Sequence, residues 1–89
     1  MAILSSRLHD PSGYGRIVRN ESGGVTAIVE SHVASKEELR IDEINTGIMV
    51  FDSHWLRANI GALKPDPKKS EILLTDTVAL ALTQGRAVE

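Results

Sequence analysis

Arg16-Ile-Val-Arg19, Asn20-Glu-Ser-Gly-Gly24 and Val25-Thr-Ala-Ile-Val-Glu30 form the stretch whose reading decides the fold. Two runs rich in β-branched residues flank a five-residue loop in which glycine supplies positive φ. That is the pattern of a β-hairpin. Upstream, Asp10-Pro-Ser-Gly13 is turn chemistry, because proline presets φ and Asp and Ser accept local backbone bonds. Met1 to Leu8 reads as a short strand before it.

Downstream, Ser35-Lys-Glu-Glu38 matches a capping box and predicts a short helix. Ile44 to Phe51 is apolar enough for a buried strand, broken by Asn45-Thr-Gly47. Asp52 or Ser53 caps a helix carrying Trp55, Leu56 and Ile60 that ends near Gly61. Lys64-Pro-Asp-Pro-Lys-Lys69 reads as a loop, since its prolines exclude regular structure. Glu71 to Gln84 is the strongest helix pattern, with Gly85 at C′. Its broad apolar surface predicts burial on more than one side. The expected fold is α/β: a mixed sheet of three to four strands with two to three helices, in a single unit over residues 1–89.

Composition narrows the function classes. The chain has 89 residues, 42% hydrophobic and 25% charged, with a mean hydropathy of −0.08, values of an ordinary globular chain. A net charge of −2 and 3% aromatic residues offer neither a basic field nor stacking platforms, so nucleic acid is not an expected partner. The absence of cysteine removes disulfides and thiolate metal sites and fits the cytoplasm. No apolar run approaches the ~20 residues that span a bilayer, so no membrane partner is expected. The Met1–Arg7 segment is too short and polar to be a signal peptide.

Four motifs recur in one register: Asp10-Pro-Ser-Gly-Tyr-Gly-Arg-Ile-Val18, Ala27-Ile-Val-Glu30, Ile44-Asn-Thr-Gly-Ile48 and Leu74-Thr-Asp76. In their order and spacing the chain resembles the uridyltransferase (pyrophosphorylase) domain of bacterial bifunctional N-acetylglucosamine-1-phosphate uridyltransferases, from about Ile3 to Gly85. The resemblance implies a partial nucleotidyltransferase domain of Rossmann-like type, its sugar-binding half. It implies that the Gly15 backbone, the Glu30 carboxylate and the Asn45 side chain contact an amino-sugar nucleotide. The chemistry agrees with those roles. Glycine lets backbone approach a ring, a carboxylate accepts hydroxyl bonds, and an amide both donates and accepts.

The same comparison shows departures. The family's glycine-rich phosphate loop and its magnesium-binding aspartate and asparagine have no counterpart in these residues. Magnesium is therefore implied for the full family domain, with no cofactor expected in this chain. His32 stands where the family has a basic residue, and Pro67-Lys-Lys-Ser-Glu-Ile-Leu73 replaces its Asn-Ala-Gln-Gly-Glu-Tyr-Tyr run, leaving only Glu71. Without a triphosphate cradle or metal, nucleotidyl transfer by these residues alone is not expected, so no residue is assigned a catalytic role.

Blander readings stand beside these. Glu30 could be a strand-end carboxylate facing water, and Gly15 and Gly47 could mark a bulge or close strand packing. Asn45 lies in an apolar run and needs partners, which backbone or ligand could supply. His9, His32 and His54 lack metal-ligand spacing. Lys64, Lys68 and Lys69 form a basic cluster that reads as a solvated loop, with a phosphate contact as the sharper alternative. Tyr14 and Trp55 read as core or strand-covering residues. The apolar Ile72–Leu82 surface predicts self-association, by edge pairing or by exchange of the C-terminal helix. A separate N-terminal half is the other partner expected.

Overall fold

The computed structural model describes residues 1–65 and 71–89. Four strands, β1 (Ala2–Arg7), β2 (Arg16–Arg19), β3 (Val25–Val29) and β4 (Glu43–Val50), form one sheet in the order β1-β4-β2-β3. Two α-helices, α1 (Ser53–Asn59) and α2 (Thr77–Thr83), follow β4 in the chain. The expected α/β composition is therefore present.

The hairpin forms where the sequence placed it, with Arg16 opposite Val29 and Ile17 opposite Ile28. Asn20 closes its loop, because its Oδ1 accepts the Gly24 N–H at 2.8 Å and its own N–H donates to the Gly24 carbonyl at 2.9 Å. β4 then inserts between β1 and β2, and all three strand pairings are antiparallel. Outside this sheet, the chain's last residues bond to β1. Ile3 N–H donates to the Glu89 carbonyl at 2.7 Å, and Glu89 N–H donates to the Met1 carbonyl at 3.0 Å. Two bonds from one residue to both neighbours of Ala2 form the repeat of a parallel ladder.

The β1–β4 register breaks between Ile3 and Ser5, where Leu4 alone faces Thr46, Gly47 and Ile48. Gly47 sits at φ 87° in the left-handed region, and Thr46 Oγ1 donates to the Leu4 carbonyl at 2.8 Å. The break in the strand pattern at Asn45–Gly47 is thus a bulge. Burial of this strand is narrower than expected. Only Glu43 and Ile44 are buried, while Ile48 is 59% and Val50 66% exposed. Met49 packs on the core, and strand alternation turns its two neighbours to the opposite face.

The core gathers Ile17, Val25 and Val78, with Met1, Ile3, Ile28, Met49 and Val88 packed against it. α2 reaches this core through a single face made of Thr77, Val78 and Ala81. It is shorter than the 71–84 pattern suggested. Leu74–Asp76 is a 3-10 turn, and Thr77 Oγ1 donates back to the Leu74 carbonyl at 2.6 Å. Ile72, Leu74 and Leu82 remain exposed, so the broad apolar surface is not buried on several sides. The helix ends as expected, with Gly85 at φ 72°, Gly85 N–H on the Leu82 carbonyl and Arg86 N–H on the Ala81 carbonyl. That pair of bonds is a Schellman cap.

The capping box at Ser35 is real but caps little. Glu38 N–H donates to Ser35 Oγ at 3.1 Å and Ser35 N–H to Glu38 Oε1 at 2.9 Å. Only one 3-10 turn, Glu38–Arg40, follows it. The carbonyls of Leu39 and Ile41, which a longer helix would use, accept from the Arg16 guanidinium instead. Asp52 is the α1 N-cap, accepting the Trp55 N–H at 3.1 Å, and Asn59 leads into a 3-10 turn over Ile60–Ala62. Among the described residues, no helix is long and apolar enough to cross a membrane.

Candidate functional site

Gly15 precedes β2 and Glu30 follows β3, so the Arg16–Val29 pairing brings the two to one end of the hairpin. Their approach is close. A Cβ on Gly15 would lie 3.2 Å from Ile28 Cγ2 and 3.3 Å from Glu30 Oε2. The missing side chain is what lets the carboxylate lean over the backbone there. Asn45 joins from β4, its N–H donating to the Gly15 carbonyl at 2.9 Å. The three residues singled out in the sequence therefore meet around Gly15.

Each polar group keeps capacity to spare. Glu30 is half-buried and, among the described residues, accepts a bond from Thr75 Oγ1 to its Oε1 at 3.3 Å. Asn45 is also half-buried, and its Oδ1 accepts the Gly47 N–H at 3.0 Å. Backbone thus satisfies half of that amide. Among the described residues nothing accepts from its Nδ2, and no buried side-chain polar atom lacks a partner. An acceptor and a donor flank one bare stretch of backbone, which suits a polyhydroxylated ligand.

Two contributors to the site, Thr75 and Arg16, and one buried carboxylate of a neighbouring cleft, Glu43, were not legible in the sequence. Thr75 lies in the Leu74-Thr-Asp76 motif, yet its bond to Glu30 spans 45 residues of chain. Arg16 is 3% exposed and donates to the carbonyls of Pro11, Tyr14, Leu39 and Ile41. Glu43 is 7% exposed and takes both Arg19 and Ser5. A charged residue beside a β-branched run was the available signal for the last two.

Other expectations resolve unevenly. Trp55 is buried at 7% exposure, as expected, whereas Tyr14 is 47% exposed because the loop turns its ring outward while Arg16 holds its carbonyl. Lys64 is exposed, and Lys68 and Lys69 of the basic cluster lie outside the described residues. The substituted Pro67–Ser70 stretch lies there as well. Among the described residues, no three His, Cys, Asp or Glu side chains converge as a metal-holding group. A cleft of about 430 Å³ is lined by Arg7, Arg19, Arg40, Asp42 and Glu43 and does not include Gly15, Glu30 or Asn45. Its carboxylates already hold Arg7 and Arg19, so it is chiefly a zipped set of ion pairs.

No family model matches the chain. Curated relatives do match it. The bifunctional protein GlmU of Corynebacterium glutamicum is 49% identical over 88 residues, covering 99% of this chain and 18% of the relative. The bifunctional protein GlmU of Corynebacterium diphtheriae is 44% identical over 88 residues. That of Burkholderia orbicola is 54% identical over 83 residues, covering 93% of this chain. The chain spans 18% of the length of these relatives. Nearly all of it is similar to one partial region of the bifunctional protein GlmU, in agreement with the resemblance carried by its four motifs.

Proposed function

We propose that residues 1–89 form a single partial nucleotidyltransferase-like unit that recognises an amino-sugar nucleotide of the UDP-N-acetylglucosamine type. The observation that carries this reading is the meeting of Glu30, Gly15 and Asn45, with a Cβ position on Gly15 only 3.3 Å from Glu30 Oε2. Glu30 accepts from sugar hydroxyls, Asn45 Nδ2 donates, and the Gly15 backbone lets the ring approach. The 89 residues bind without transferring a nucleotidyl group, because the electrostatic machinery that phosphoryl chemistry requires is not among them.

Calorimetric titration with UDP-N-acetylglucosamine tests the binding. Glu30→Ala and Asn45→Ala are each expected to weaken it by about 1–3 kcal/mol. No heat at millimolar ligand, or wild-type affinity in both variants, would remove the site. A coupled assay for pyrophosphate from UTP and N-acetylglucosamine-1-phosphate with magnesium is expected to read zero. Turnover would show that the missing machinery is unnecessary.

A second reading, self-association, rests on a different observation. Leu4, Ile48 and Val50 are 53%, 59% and 66% exposed, on the sheet face opposite the core. Apolar surface of this kind favours contact between copies. Light scattering at high concentration tests it, and a strict monomer sinks it.

A further inference from the structure

We propose that Arg16 is the positioning residue of this face, holding Gly15 where Glu30 and Asn45 can meet it. Arg16 is 3% exposed, and its guanidinium is spread over backbone carbonyls. Nε donates to Ile41 O at 3.0 Å, Nη1 to Pro11 O at 2.8 Å and to Tyr14 O, and Nη2 to Leu39 O at 3.4 Å. None of these partners is a carboxylate, so the group is not one half of an ion pair among the described residues. It works instead as a planar fork whose fixed donors suit acceptors arriving from several directions.

The four carbonyls come from two segments. Pro11 and Tyr14 belong to the turn that delivers Gly15, and Leu39 and Ile41 to the turn that delivers β4. The sheet itself joins these segments thinly. β2 and β4 share the single Cα pairing Arg16–Ile44, beside the bond from Asn45 N–H to Gly15 O. One guanidinium therefore supplies the cross-link that the short ladder does not. Fixing both turns fixes Gly15 against Asn45, and Gly15 is the residue over which Glu30 leans. Arg16 acts through Gly15 and touches no ligand. That the ordered segment is a sugar site rests on the function proposed above; that Arg16 orders it rests on these hydrogen bonds.

Hydrogen exchange on the full 89-residue chain, wild type and Arg16→Lys, tests the role. Lysine keeps the charge but has one nitrogen for four carbonyls. The Asn45 and Ile41 amides are expected to exchange at least tenfold faster in the variant, while Val18 and Ala27 in the hairpin keep their protection. Unchanged protection at Asn45, or a uniform loss throughout the chain, overturns the proposal. If Arg16→Lys does not fold, the wild type alone decides. Its Tyr14, Ile41 and Asn45 amides are expected to open with one common denaturant dependence, and independent opening overturns the proposal. Titration with UDP-N-acetylglucosamine separates the two claims. Binding by the wild type that weakens at least tenfold in Arg16→Lys supports both. Failure of the wild type to bind removes the sugar reading, and the exchange result still decides the role of Arg16.

Discussion

Arg19 grips Glu43 at both carboxylate oxygens, with Nε to Oε1 and Nη2 to Oε2 each at 2.8 Å. The Ser5 hydroxyl adds a bond to Oε2 at 2.6 Å. Burial of Glu43 favours its neutral form, but the Arg19 hydrogen bonds outweigh that and bring its pKa from 4.5 down to about 2. The native carboxylate thus takes up its proton less readily than the unfolded one. Its contribution to stability is complete above 4.5 and is lost as pH falls toward about 2.

Glu43→Gln is therefore expected to lower stability near neutral pH. The Arg19 side chain is 43% exposed, so water screens the pair. The expected loss is about 1–2 kcal/mol. Urea unfolding near neutral pH and near pH 3 measures it. The wild type should lose more stability than the variant between the two conditions. Equal losses would place the acid sensitivity elsewhere.

Trp55 ties α1 to the end of α2 through a closed set of bonds. Its Nε1–H donates to Gln84 Oε1 at 2.7 Å, Gln84 Nε2 donates to Asn59 Oδ1 at 2.8 Å, and Asn59 Nδ2 returns to the Trp55 carbonyl at 2.8 Å. Gln84→Leu leaves the indole N–H unpaired in a largely buried position, at an expected loss of about 1–3 kcal/mol. Trp55 is the only tryptophan, so thermal melts followed by its emission read the effect directly. An unchanged melt would mean that water replaces the lost acceptor.

Among the described residues, the Thr75 hydroxyl donates to Glu30 at 3.3 Å. Thr75→Val removes the hydroxyl and keeps the branched shape. Sugar-nucleotide binding is expected to weaken by about 0.5–1.5 kcal/mol, with Thr75→Ser close to wild type. Calorimetry on the two variants checks this. Equal affinities for valine and serine would show that Glu30 needs no such support.

The elements that were legible in the sequence are those held by neighbours in sequence. The hairpin loop closes through Asn20 and Gly24, the α1 cap through Asp52 and Trp55, and the α2 stop through Gly85 and Arg86. Local chemistry decides each, so a short window of residues contains the answer. The 35–38 capping box shows the limit: its local bonds form, yet Arg16, more than twenty residues away, claims the carbonyls that would extend the helix. The candidate site divides the same way. Gly15, Glu30 and Asn45 carried a role in their motifs, whereas Thr75 and Arg16, although inside motif runs, enter through contacts that no spacing encodes. Exposure of Ile48 and Val50 was equally hidden, because an apolar run does not say which face receives a covering helix.

The bonds between Met1–Ile3 and Ala87–Glu89 carry a consequence for the order of folding. Met1 N donates to the Ala87 carbonyl at 3.1 Å, across a separation of 86 residues. Contacts that distant require nearly the whole chain to be gathered first, and the entropy of closing so large a loop delays them. The hairpin, by contrast, closes over a handful of residues. The clasp at the termini should therefore set after the rate-limiting step. Weakening it should quicken unfolding and leave the refolding rate nearly untouched, making this edge a latch on the native state's lifetime.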